Sequence, residues 1–371
     1  MTPDLPAVIL VSPGPIDGYP PVQYQAKILA SSGCRVELIT CSLPAKSGVV
    51  AFSAEGVRVS IVPEQLSFVR RTFALTAALA RARRRLRRAQ TIEVCFDPVG
   101  VFISDLTPWK GSRRIAHFHE LAGLDEGPYG RRLRSALGRF EEVVVPGAER
   151  ATLTKELLGL DRLPTNIPNY PIDDGIRPRP SHPTRGFEVV YCGSLGFHQR
   201  LDKVIETVPD WPSGTSLLLI GSTHGSDAQA LRRMVTERRL GDRVSFAGWL
   251  DLTRAEARMA RAHLGIAFLD SSYPQWSSAL EASNKRFQYM KMGLPQLGDD
   301  NPGVIDLVEG LGVGACLRAD DFKRLPSLIS AYLEDEGMRR EQGHQARQLF
   351  EARFNYASAF RPVMERWFAH R

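Results

Sequence analysis

Lysine is scarce in this chain of 371 residues: only eight of its 48 basic residues are Lys, the rest being Arg. An Arg bias of this kind often follows genome composition more than function. Cysteine is scarce as well. The five present, Cys34, Cys41, Cys95, Cys192 and Cys316, show no CxxC or Cys/His spacing, which argues against a zinc site and a disulfide framework and for a reducing compartment. The opening MTPDLPAVILVS lacks the cationic segment and long apolar stretch of a signal peptide. No apolar run approaches the roughly 20 residues of a membrane span. The expected location is the cytoplasm, at most peripheral to the inner face of the membrane. GxGxxG, the P-loop GxxxxGK[ST], HExxH and DxD are all absent from the sequence. This disfavours dinucleotide or P-loop binding, a zincin centre, and Mg²⁺ or Mn²⁺ as an essential bridge.

What the chain does contain is a soluble, globular composition: 43% hydrophobic and 24% charged residues, enough for about two domains with their own cores. The formal charge is +7, compatible with nucleic acid, an anionic membrane face or an anionic ligand. Nucleic acid is disfavoured, because no reading motif is present and aromatics are not interleaved with the Arg residues.

Short apolar runs alternate with longer helical patterns. Ala7–Val11, Val36–Thr40, Val57–Val62, Thr91–Phe96, Arg114–Phe118 and Val143–Val145 read as strands buried on both faces, with amphipathic stretches such as Val22–Ser31 and Phe73–Arg88 between them. The segment 164–186 holds six Pro and no helical periodicity, the composition of a linker. The rhythm then restarts. Glu188–Tyr191, Ser216–Ile220, Val244–Phe246, Leu264–Phe268 and Val313–Leu317 read as strands, with helices around 201–208, 228–238, 254–261 and 284–292, and closing helices near 338–350 and 357–370. The expected fold class is α/β, two Rossmann-like domains, 1–168 and 186–352, facing across a cleft, with a closing helix in 353–371.

Ligands of open parallel sheets sit at the carboxyl ends of the strands, where loops and helix N-termini supply N–H groups. The first such loop, Ser12 to Tyr19, carries Gly18 and leads into a helix; it is either a ligand approach or a simple turn. His119 and Glu120 stand where a buried strand runs out. Imidazole beside carboxylate could orient an acceptor, shuttle a proton or stabilise positive charge, and a structural His is the plainer alternative. In the second domain, Gly193-Ser194-Leu195-Gly196 precedes a helix opening at Arg200. A cation is disfavoured at a helix N-terminus unless something anionic lies opposite. Further on, helical spacing places Asn284, Gln288 and either Lys291 or Met292 on one face, with Phe287, Met290 and Leu294 towards the core. Gly293 and Pro295 end that helix, and Asn301-Pro302-Gly303 opens the next.

These residues carry a resemblance to the GT-B glycosyltransferases, in particular the retaining enzymes of family 4. The matching stretches are Tyr191 to Leu195, Phe246-Ala247-Gly248-Trp249-Leu250, and Asn284 to Gly303, so the likeness in sequence is specific from about 188 to 314. It implies that 1–168 binds the acceptor and 186–352 the nucleotide sugar, that the helix in 353–371 packs back towards the first domain, and that a nucleotide diphosphate sugar is the donor with no other cofactor. The base would lie at Gly248 and Trp249, ribose at Gln288, and diphosphate at Gly193, Ser194, Arg200, Lys285 and the Gly303 and Val304 amides. Sugar hydroxyls would lie near Glu281 or the 276–278 loop. Gly18, His119 and Glu120 would stand at the reaction centre on the acceptor side, with His119, Glu120, Arg200 and Lys285 as catalytic residues. Three positions depart from the family: Gln288 replaces its ribose-binding carboxylate, Leu280 takes the place of a second acid with Glu281 one position off, and Gln199 replaces a Lys.

The resulting expectation is a metal-independent, retaining transfer of a sugar, UDP favoured as carrier and GDP next, to a small-molecule, natural-product or glycan acceptor. The alternatives are a non-catalytic nucleotide-sugar-binding scaffold of the same fold and a GT-B type sugar-nucleotide epimerase. The Arg-rich segment Arg81–Arg88 suggests peripheral contact with an anionic membrane, a solvated face being the plainer reading.

Overall fold

A computed structural model describes residues 5–42, 52–107, 109, 112–121, 127–177, 186–318 and 321–369. The chain divides into two compact units, Met1–Asn169 with Tyr356–Arg371, and Tyr170–Asn355.

The first unit is built on a parallel sheet of seven strands: β1 (Ala7–Pro15), β2 (Val36–Ser42), β3 (Val57–Pro63), β4 (Thr91–Phe96), β5 (Ser112–His117), β6 (Glu142–Val145) and β7 (Thr165–Asn166), in the order β3-β2-β1-β4-β5-β6-β7. The continuous apolar runs of β1 and β4 are buried along their length because helices cover both faces. β1 is central, with Val8 opposite Val36 on one side and Ala7 opposite Thr91 on the other. The core gathers Ile9, Val11, Leu79, Val101, Phe118 and Leu133. The helix Tyr356–Ala369 belongs to this unit: Tyr24 and Tyr356 rings lie 5.8 Å apart, and the Trp367 indole N–H donates to Glu142 at 2.7 Å. The last residue of the helix read from the sequence, His370, lies outside the described residues.

The second unit has six parallel strands: β8 (Phe187–Cys192), β9 (Thr215–Ile220), β10 (Val244–Gly248), β11 (Leu264–Ala267), β12 (Gln296–Gly298) and β13 (Gly314–Cys316), ordered β10-β9-β8-β11-β12-β13. This is the doubly wound order, reversing direction at β8/β11. Tyr191, Leu201, Leu217, Leu219, Ile266 and Leu297 form its main core.

The Pro-rich segment differs from a free linker at both ends of its described part. Thr165 and Asn166 pair with β6, and Asp173 and Asp174 bind Arg347 and Lys291 of the second unit. Residues 178–185 lie outside the described residues.

Two helices depart from the sequence reading. The helix expected over 73–88 runs from Phe68 to Arg85. Asn284–Lys291 is not half solvated: residues 286–291 are all buried. Lys291 is fully buried because its ammonium lies 2.7 Å from Glu256 and 2.9 Å from Asp174, a pairing without which burial of the charge would be prohibitive.

Candidate functional site

At the carboxyl end of the second sheet, β8 gives way to Gly193 with φ +151. A Cβ there would stand 2.7 Å from Lys285 Cε and 3.1 Å from the Tyr191 hydroxyl. The missing side chain is therefore the notch that holds the lysine. Lys285 Nζ lies 5.5 Å from the centroid of the Tyr191 ring, within cation–π range, and the Tyr191 hydroxyl donates to the Ser194 carbonyl at 2.7 Å. Lys285 sits in the first turn of its helix, and that turn holds no acidic residue. Ammonium and helix N-terminus thus add positive potential at one point, which an anion relieves.

Two features of Arg200 bear on its expected role. It adopts a left-handed conformation, φ +53, ahead of the helix Leu201–Thr207, and its guanidinium donates to Asp270 Oδ1 at 3.1 Å. The anion that a cation at this position calls for is supplied by the protein itself. Burial pushes the Asp270 carboxyl up, but the backbone N–H and hydroxyl of Ser272, with Arg200, hold it below the ordinary carboxylate range. The Val304 amide is also engaged, donating to the Asn301 carbonyl at 3.0 Å. The helix that it opens, Val304–Val308, is a single short turn behind Gly303 at φ +75, so the dipole available to a phosphate there is small.

The remaining second-unit residues lie as follows. Gly248 ends β10 at φ +74 beside the half-buried Trp249, Gln288 is buried at 6% exposure, and Glu281 accepts a 2.9 Å hydrogen bond from the Tyr170 hydroxyl. Sequence reasoning missed the buried pair beneath this site. Arg286, 0% exposed, donates to Asp299 Oδ2 at 2.6 Å, and Asp299 also accepts the Leu269 and Asn301 N–H groups. This pairing ties the loops after β11 and β12 together.

The carboxyl end of the first sheet is different in kind. The His117 and His119 rings stack at 4.7 Å, and Phe96 stacks on His119 at 5.4 Å. Among the described residues, no ring nitrogen of either His has a hydrogen-bond partner. Burial, with His119 beside it, holds the His117 pKa well below the ordinary imidazole range. His119, 4% exposed, is held through its backbone: its N–H donates to Asp97 Oδ1 at 2.9 Å, and its carbonyl accepts from the buried Arg150. Asp97 Oδ2 lies 3.9 Å from His119 Nδ1. Asp97 itself has φ +55, a strained conformation for a non-glycine. Glu120 is exposed, 3.9 Å from Arg150. The Tyr19 ring stands 5.9 Å from His119, its hydroxyl pushed up to about 12 by burial and by Asp97 and Glu120. Asp97, Tyr19 and Arg150 were not singled out in the sequence, because they lie in separate segments: Tyr19 ahead of the helix at Pro20, Asp97 opening the helix Asp97–Leu106, and Arg150 within Ala148–Leu158.

The helix N-terminus expected behind Gly18 offers little to a ligand. Pro20 and Pro21 carry no N–H, and the next two amides donate to the Tyr19 carbonyl. Gly18 itself faces open space, while a Cβ on Gly14 would meet the Tyr19 ring at 2.6 Å. Gly14 is the glycine this loop requires.

No protein-family model matches the sequence, and no curated protein matches it. Solved structures do match. They include the sucrose-phosphate synthase of Thermosynechococcus elongatus, TM-score 0.75 at 16% identity, over 97% of this chain and 98% of that one. HepE of Anabaena, in complex with UDP and glucose, matches with TM-score 0.74 at 16% identity over 97% and 99%. A glycosyltransferase of Rickettsia africae gives 0.70 at 12% identity over 98% of both chains. The fold is that of the GT-B glycosyltransferases.

Proposed function

We propose that this protein is a glycosyltransferase that moves a sugar from a nucleotide diphosphate sugar, UDP before GDP, to a small-molecule, natural-product or glycan acceptor. The observation that carries the reading is the Lys285 ammonium, set by the Gly193 notch in a helical first turn that lacks any acid. The likeness to HepE, which holds UDP and glucose, supports the choice of donor. In this reading Lys285 takes the β-phosphate and, with Arg200 shared between phosphate and Asp270, stabilises the charge that develops as the glycosidic bond breaks. Gly193 and Ser194 line the diphosphate, Gly248 and Trp249 the base, Gln288 the ribose through its amide, and Glu281 the sugar hydroxyls. His119 and Glu120 serve the acceptor. Among the described residues no carboxylate stands out as a nucleophile, which supports front-face departure with retention, by analogy with the family.

The test is incubation with UDP-, GDP- and TDP-sugars while nucleotide release is followed. Release of UDP that depends on an added acceptor and is lost in Lys285→Ala is the expected result. Binding without turnover favours the scaffold, a reading to which the neutral Gln288 lends weight. Sugar isomerisation with the nucleotide retained favours the epimerase.

A further inference from the structure

The helix Phe68–Arg85 has two apolar faces, and the sheet uses one of them. Leu75, Ala78, Leu79 and Ala82 lie in the core of the first unit, each at most 2% exposed. At about 3.6 residues per turn, Val69, Phe73, Ala77, Ala80 and Arg84 fall on the opposite side. Val69 is 61% exposed and Phe73 is 73% exposed; Ala77 and Ala80 are exposed as well. The outward side of a helix that covers a sheet is ordinarily polar, so this stripe is not explained by the fold.

The arginines around it divide in two. Arg83 is buried, its guanidinium donating to both oxygens of Glu93 at 2.7 Å, and Arg85 is taken up by Glu37 at 2.6 Å. The segment Arg81–Arg88 is therefore not uniformly a free basic surface. Arg70, Arg81, Arg84 and, just past the helix, Arg87 and Arg88 remain exposed and flank the apolar stripe.

We propose that this outer face is a docking surface for an anionic lipid bilayer. Val69 and Phe73 enter the headgroup region, and Arg70, Arg81, Arg84 and Arg88 meet lipid phosphates. The helix, about 27 Å long at about 1.5 Å per residue, lies in the plane of the interface. Charge complementarity selects this occupant: a second copy of the chain would press the arginines against like charge or apolar side chains, whereas anionic headgroups take them at the membrane surface while the stripe is buried. The proposal is independent of the catalytic reading, since its test measures binding alone.

The experiment is co-sedimentation of the full chain with phosphatidylcholine vesicles and with vesicles of equal parts phosphatidylcholine and phosphatidylglycerol, at low and high salt. Sedimentation with the anionic vesicles only, weakened by salt, is expected. The double variant Val69→Ser/Phe73→Ser, whose positions lie outside the core, should lower the partition coefficient by about tenfold or more while leaving the circular dichroism and UDP affinity unchanged. Arg81→Ser/Arg84→Ser/Arg88→Ser should lower it and flatten the salt dependence. The proposal is overturned by no sedimentation with anionic vesicles, by equal sedimentation with neutral ones, or by wild-type binding in the Val69/Phe73 variant. A dimer in gel filtration that Phe73→Ser abolishes, without vesicle binding, would also overturn it in favour of self-association.

Discussion

The two sheets share the order of their first six strands, 3-2-1-4-5-6 counted within each unit, yet their carboxyl ends hold opposite kinds of chemistry. In the second unit a glycine notch holds an ammonium, and a guanidinium is paired with a carboxylate. In the first, two imidazoles and a phenylalanine stack in a largely closed pile that a strained aspartate fixes from below. Topology decides where a site lies, and the few side chains after each strand decide which charge it favours.

Each unit also buries an Arg–carboxylate pair, Arg83–Glu93 in the first and Arg286–Asp299 in the second, and breaking these should give the largest effects. Arg83→Ala and Arg286→Ala would each leave a buried carboxylate without its partner, a loss of about 3–5 kcal/mol measurable by urea unfolding. The first should cost more, because Glu93 is wholly buried and, among the described residues, keeps only the hydroxyls of Ser104 and Ser112, whereas Asp299 is 8% exposed and keeps two backbone N–H partners. An equal loss would show that those amides do not compensate.

Next in size is the contrast between the two cations of the proposed donor site. Lys285→Ala should weaken UDP binding about thirtyfold, and Arg200→Ala only about threefold, since Asp270 already shares the guanidinium. Calorimetric titration of UDP into both variants separates them. A larger loss from Arg200 would mean that Asp270 gives way on binding.

Each unit contains a histidine whose pKa lies below its ordinary value of 6.5: His117, through burial and His119, and His263, through burial and Arg339. Below about pH 6.5 the unfolded imidazoles take up protons that the folded ones refuse. Stability is therefore full above that pH and falls as the pH drops towards the folded values. His117, fully buried, should contribute a slope approaching about 1.4 kcal/mol per pH unit, abolished in His117→Gln. A melting temperature flat between pH 7 and about 5 would contradict this.

The smallest effects distinguish the glycines of the first loop. Gly14→Ala forces the Tyr19 ring to move and should cost about 1–2 kcal/mol. Gly18→Ala meets open space and should stay within about 0.5 kcal/mol, as thermal melts of the two variants would show.

The sequence made the strands legible because strands buried on both faces are written as unbroken apolar runs, as in Ala7–Val11 and Thr91–Phe96. It made Lys285 legible because glycine, lysine and helix stop signals fall within short windows. It could not show which charges are already taken. Arg83 and Arg84 are neighbours in one basic run, yet one is sealed against Glu93 while the other is exposed. Arg200 finds Asp270 across 70 residues, and Lys291 finds Glu256 across 35. The first-sheet cluster was hidden for the same reason: Tyr19, Asp97, His119 and Arg150 converge from four separate segments of the chain, and no spacing announces them.

The central claim is that binding of the nucleotide diphosphate belongs to Lys285 and transfer of the sugar to His119. The most direct test measures UDP affinity and acceptor-dependent UDP release on the same preparations of wild type, Lys285→Ala and His119→Ala. The account predicts a crossed result: His119→Ala keeps wild-type affinity and loses roughly a hundredfold in transfer, while Lys285→Ala loses affinity. Wild-type UDP affinity in Lys285→Ala, or wild-type transfer in His119→Ala, would contradict it.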